Sequence, residues 1–222
     1  MSEPASEPPT RPPFPGPRVR ESTEGTWFRA AGDAPGSLLR LPVGTDAALV
    51  RRLYRLGLPG LLPIDGVQED DGRLWVATPL PPGPTVADLL GGGRLLGLGP
   101  GDAAAVLGAA GRALRALHAR GLGHGALDAS AVLIAPDGAP VLVALTGGSG
   151  HRERDLTAWA GLAYTLAAAW CGSEPAAAAA VRGCADLAEA AGLGAALGAL
   201  PAAADGAGRR RAVQAWAASD VG

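Results

Sequence analysis

The stretch from Leu117 to Thr146, LHARGLGHGALDASAVLIAPDGAPVLVALT, constrains the fold more than any other part of the chain. Residues up to Leu117 have helical spacing, and Gly121 is a natural helix stop. Val132–Ile134 and Val141–Val143 are two short apolar runs, and Asp137-Gly138 between them is a turn signal. The spacing predicts a helix end, a tight loop, a strand, a turn and a second strand. A polar loop set on such a hairpin is where functional residues are commonly presented.

The same stretch resembles the catalytic loop of eukaryotic-type Ser/Thr protein kinases, H-R-D-L-K-P-x-N and then a hairpin ending in D-F-G. In register, His124 and Leu127 match, and Ser130, Val132 and Leu133 match a common form of the loop end and first strand. The chemical positions do not. Ala126 stands at the catalytic Asp, Asp128 at the Lys and Ala131 at the metal-binding Asn. The family's metal-binding Asp, thirteen residues beyond that Asn, falls on Ala144, and Leu145 and Thr146 replace its Phe and Gly. The resemblance implies a degenerate kinase-like domain, a pseudokinase. His124-Gly125 is also similar to H-G-D-L-H-x-x-N of small-molecule phosphotransferases, which share that fold.

Composition bears directly on this chemistry. The chain contains no Lys and no Asn, so it can supply neither the ATP-anchoring Lys nor the Asn metal ligand of a kinase. Basic charge is carried by Arg, and the abundance of Ala, Gly and Pro suggests a high-GC genome of bacterial type. The net charge of −2 implies no strong field toward nucleic acid or an anionic membrane. The run Arg209–Arg211 reads as a solvated helix start, or else a partner or phosphate contact. Cys171 and Cys184 have no metal-ligand spacing and read as buried thiols of a reducing cytosol. No signal peptide is evident, and the uncharged run Leu156–Cys171 is too short for a membrane span, so the expectation is a cytoplasmic protein with a buried helix there.

Along the chain, residues 1–24 are rich in Pro, Ser and Glu and read as a disordered tail, in which Pro12–Pro17 offers a polyproline-type ligand. Residues 25–79 read as a small β-rich lobe with one helix. Its turn signals are Gly32–Gly36 and Asp70–Gly72, and Thr45 or Asp46 caps the helix over Leu49–Leu56. Strand, strand, helix, strand, strand is similar to the kinase N-lobe from its second or third strand onward. Arg40 falls near the anchoring Lys and Leu49 or Val50 near its Glu partner, with no G-x-G-x-x-G before them. Arg40 reads either as an exposed strand residue or as a cleft-facing substitute cation.

Residues 80–222 read as a larger helical lobe. Thr78–Gly83 resembles the hinge, Thr85–Leu90 the short helix after it, and Asp102 caps the long helix that leads to His124. Gly147–Arg154 then stands in for a whole activation segment. Asp155, Trp159, Tyr164 and Leu166 are similar to D-x-W-x-L-G-x-x-x-Y-x-L-L of the buried C-lobe helix. There the Asp holds the backbone of the catalytic loop, and Asp155 reads as that tether or as a simple N-cap. The remainder is Ala-rich helix.

The expectation is therefore an α+β, protein-kinase-like bilobal fold with a truncated activation segment. It has no catalytic residue, no metal, no cofactor and no ATP–magnesium binding. Arg40, His124 and Asp128 are the cleft candidates, His124 as a residue bonded to nearby backbone and Asp128 as solvated or bonded to Arg. The implied role is to bind a protein partner as a scaffold or regulator. The alternatives are a nucleotide or small-ligand sensor and an unconventional phosphotransferase.

Overall fold

The structure, a computed structural model, describes residues 15–22, 25–31, 36–81, 83–91, 98–143, 145, 148, 151–170 and 173–219. It is a mixed α+β chain in which an antiparallel five-stranded sheet is followed mostly by helices. Ala144, Thr146, Gly147, Cys171, the Gly32–Pro35 part of the first turn and residues 1–14 of the tail lie outside the described residues.

The sheet has the order β1-β2-β3-β5-β4, from Pro15–Ser22, Gly25–Ala30, Ser37–Arg40, Arg73–Thr78 and Gly66–Asp70 respectively. Helix α1, Ala47–Leu56, lies between β3 and β4 in sequence. Asp46 caps it, accepting from the Ala48 and Leu49 amides at 2.8 and 3.2 Å, and Gly57 ends it in the left-handed conformation. Alternation along the strands puts Leu39, Leu41, Leu74 and Val76 in one core with Leu49, Val50 and Leu53 of α1.

Strand β1 corrects the reading of a disordered tail for Pro15–Ser22 alone. Pro15–Ser22 pairs along β2, with register shifts between Pro15 and Arg18 and between Arg18 and Arg20. It is an edge strand, and an edge tolerates proline because the missing N–H faces no neighbour. Low hydropathy hid it: its stabilisation comes from the β2 ladder and from Arg20, which lies 5.1 Å from the Trp27 ring centroid.

The chain then crosses at Thr78–Gly83 into α2, Val86–Gly91, where Thr85 and Asp88 cap one another reciprocally. The crossing is held tightly. The Ser37 hydroxyl donates to Leu80 O at 2.7 Å, and Ile134 N–H donates to Pro84 O at 2.9 Å. A Cβ on Gly83 would sit 2.6 Å from Ile134 O, so the contact requires glycine. Arg20 of β1 reaches over the crossing to Asp88 at 2.9 Å.

Helix α3, Pro100–His118, carries the chain to the loop. Its N-cap is Gly99, and Asp102 sits in the first turn accepting from Gly99 N–H at 3.0 Å, which corrects Asp102 as the cap. Strands β6 and β7, Val132–Ile134 and Pro140–Leu142, form the hairpin read from the sequence. Helices α4 (Arg152–Trp170), α5 (Pro175–Ala191), α6 (Leu193–Ala199) and α7 (Ala207–Ser219) complete the chain. Trp159 of α4 is fully buried and its indole N–H donates to Leu107 O of α3 at 3.0 Å. A single apolar cluster runs from the sheet through α3, the hairpin and α4 to α5. Among the described residues no helix is long and apolar enough to cross a membrane.

Candidate functional site

The loop between α3 and β6 is built around one carboxylate. Asp155, fully buried in the first turn of α4, accepts from His124 N–H at 2.9 Å and from Gly125 N–H at 2.7 Å, one on each oxygen. His118 Nε2 lies 2.7 Å from the same oxygen as the His124 amide. A buried carboxylate with several donors exchanges water for fixed hydrogen bonds and holds its donors in one geometry. Asp155 is therefore not a simple N-cap: it ties the end of α3, the loop and α4 together. Gly125 has φ +80°, where a side chain would be strained, and the His151 ring packs over the same point.

His124 is also fully buried. Its Nε2–H donates to Val143 O at 2.7 Å and its Nδ1 accepts from Ala126 N–H at 3.2 Å. Both ring nitrogens are used by the neutral imidazole, so neither is free to take a proton from a substrate. Burial pushes its pKa below the ordinary 6.5, against the opposing pull of the Val143 carbonyl and of Asp155 and Asp128. This shift links stability to pH. Between 6.5 and the lower native value the unfolded chain binds the extra proton and the native chain does not. The contribution of neutral His124 is complete above pH 6.5 and falls as pH drops through that window, by at most ~1.4 kcal/mol per pH unit. Urea midpoints of the wild type and His124→Gln between pH 7.5 and 5 should show a steeper acid-side loss in the wild type. Parallel curves would contradict this account.

Asp128 is exposed, as the solvated reading has it, and bonds to no Arg among the described residues. It caps the 3-10 turn Ala129–Ala131, accepting from Ser130 N–H at 2.7 Å, Ala131 N–H at 3.1 Å and the Ser130 hydroxyl at 2.6 Å. Ala126 is exposed at the loop tip, while the Ala131 methyl is fully buried at the start of β6. No acid–base pair forms, because the only imidazole in the loop is enclosed and the only carboxylate is a cap.

Arg40 corrects the cleft-facing alternative. It alternates with Leu39 and Leu41, so it lies on the sheet face opposite the one they present to α1. There its guanidinium sits 5.4 Å from the Phe28 ring centroid and 5.9 Å from that of Trp75 and donates to Thr26 Oγ1 at 3.4 Å. The residues opposite α1 are leucines, and Leu49 and Val50 on the helix are buried among them.

Two features of the site escaped the sequence reading. The three histidines of the chain, His118, His124 and His151, all converge on the loop, and their confinement to so short a window was the available signal. Gly123 and Gly148 also exchange backbone hydrogen bonds, at 2.7 and 3.2 Å, stitching the loop to the segment before α4. Among the described residues no group of His, Cys, Asp and Glu is arranged to hold a metal ion. Cys184 is a buried free thiol whose pKa burial raises. No family model matches the chain, and no curated protein matches it.

Proposed function

We propose that the chain is a pseudokinase, a kinase-like domain that has lost phosphoryl transfer and acts by binding a protein partner as a scaffold or regulator. The observation that carries this reading is Asp155. Its carboxylate holds the backbone of a loop at His124 and Gly125, which is the structural task of the matching Asp in kinases, while Ala126 and Ala131 occupy the positions where the chemistry would be. The frame persists and the reacting groups do not.

Three further features support it. The helix between the third and fourth strands of a five-stranded antiparallel sheet, with helices after the sheet, agrees with the order read from the sequence, now with a first strand in front. Neither β1, β2 nor the residues between them carry a G-x-G-x-x-G, the motif of a glycine-rich loop over phosphates. Arg40 faces away from the α1 side of the sheet, so no cation meets that helix from β3. Phosphoryl transfer is almost entirely positioning and electrostatics, and without the metal carboxylates and the phosphate cation little of either remains.

The test is thermal unfolding with ATP and magnesium. A nucleotide at 100 times its dissociation constant adds ~2.7 kcal/mol of stability. The expected result is no magnesium-dependent rise in melting temperature and no phosphate transfer from labelled ATP to the chain itself or to a basic protein. A clear magnesium-dependent rise would favour the nucleotide sensor, and transfer above a protein-free blank would favour the unconventional phosphotransferase.

A further inference from the structure

A cavity of about 470 Å³ opens where the end of α3, the start of α4 and the α5–α6 turn meet. It is lined by Arg115, His118 and Arg152, with Leu156 and Leu193 as apolar wall and Ala191, Gly192 and Gly194 beside them. No acidic residue lines it. Neither Arg115 nor Arg152 makes an ion pair or side-chain hydrogen bond among the described residues, although Arg18, Arg20, Arg51 and Arg209 each pair with a carboxylate. His118 is bonded at Nε2 to Asp155, so its ring is held at the cavity wall.

Two guanidiniums on separate helices line one concavity whose lining holds no counter-charge, so both add positive potential there. The volume lies in the range of small-ligand sites. We infer that this cavity is an oxyanion site for a phosphate dianion, either inorganic phosphate or a phosphorylated side chain, gripped by Arg115 and Arg152. A dianion matches the two positive charges, and guanidinium forks suit phosphate oxygens by geometry. The carboxylate of Asp155 is fully buried behind His118 and forms no part of the lining. The site is separate from the degenerate loop positions Ala126 and Ala131 and does not depend on the pseudokinase reading. It does share His118 with the carboxylate that holds the loop.

The experiment is calorimetric titration of the full chain with inorganic phosphate and with a short phosphoserine peptide, at fixed ionic strength set with chloride. The expected result is saturable binding of at least one probe, weakened at least about tenfold in Arg115→Gln/Arg152→Gln, since each lost charge-assisted contact is worth about a factor of ten or more. Arg211→Gln, on the exposed side of α7, should leave binding unchanged. Peptide binding tighter than phosphate binding identifies a phosphorylated side chain as the ligand, and equal or weaker peptide binding identifies free phosphate. Both arginines are exposed, so the double variant should fold as the wild type does. Arg115→Lys/Arg152→Lys keeps the charge and loses the forks, and should bind more weakly than wild type but better than the Gln pair. Absence of saturable binding of both probes, or equal binding by the wild type and the Gln pair, overturns the assignment.

Discussion

Asp155→Ala is expected to destabilise the chain by about 3–5 kcal/mol, the largest effect of any single substitution around the loop. Breaking a buried, hydrogen-bonded charge network by removing one member leaves the other members without solvent or partner. Here the orphans would be the His124 and Gly125 amides and His118 Nε2. The His124 amide is the most costly, since that residue is fully buried. Asp155→Asn is the informative companion. It keeps one carbonyl oxygen as acceptor and places an NH₂ against at least one N–H donor, so it should fall between alanine and wild type. Urea unfolding at pH 7.5 measures both. A loss below about 1 kcal/mol for Asp155→Ala would mean that the loop relaxes and finds water, and that the carboxylate does not hold it. Hydrogen exchange separates local from global loss, and the Gly125 amide should exchange fastest in the alanine variant.

The hairpin and the helices on either side of the loop were legible in the sequence for a physical reason. Asp137-Gly138 is a turn dipeptide between two apolar runs, and Gly138 takes φ +84° as such a turn requires. Cap residues read locally were less secure. Asp46 does cap α1, but Asp102 proved to be a first-turn acceptor and Asp128 a cap that was not foreseen. All three are aspartates near helix starts, and sequence alone cannot say which amide an aspartate reaches when several lie within one turn.

The larger misreadings came from long-range pairing. Pro15–Ser22 has neither hydropathy nor alternation to announce a strand, and its partner β2 supplies what it lacks. Arg40 is open to a cleft-facing reading, beside that of an exposed strand residue, because its place along the strand matches the kinase Lys. Which face of the sheet it occupies depends on a one-residue register, and that is settled by Leu39 and Leu41 packing under α1. The convergence of His118, His124 and His151 on the loop needs the turn of the chain between α3 and α4, which spacing does not give.

Arg209 shows the same limit, and it carries the second large expected effect. A run of three arginines at a helix start reads as solvated, yet Arg209 is only 5% exposed and reaches three partners. Its Nη1 donates to Asp102 at 2.6 Å, its Nε to Gly138 O at 2.7 Å and its Nη2 to Ala204 O at 3.3 Å. These join α7 to the first turn of α3 and to the β6–β7 turn, so the last helix is fastened to the same hairpin that shapes the loop. Asp102 is equally buried. Arg209→Met should therefore cost about 3–5 kcal/mol, mostly because the Asp102 carboxylate is left buried without its cation. The double variant Asp102→Ala/Arg209→Met removes that orphan charge. It still leaves the Gly99 amide and the Gly138 carbonyl short of a partner, a penalty of about 1–3 kcal/mol for each that stays dry. It should nonetheless be less destabilised than the sum of the two single variants, by at least about 2 kcal/mol, because in a double-mutant cycle contacting charges do not add. Additive losses would mean that the two residues act separately and that α7 is held by its apolar face. In that case hydrogen exchange in α7 would be unchanged by Arg209→Met, whereas the ion-pair account requires α7 to exchange first.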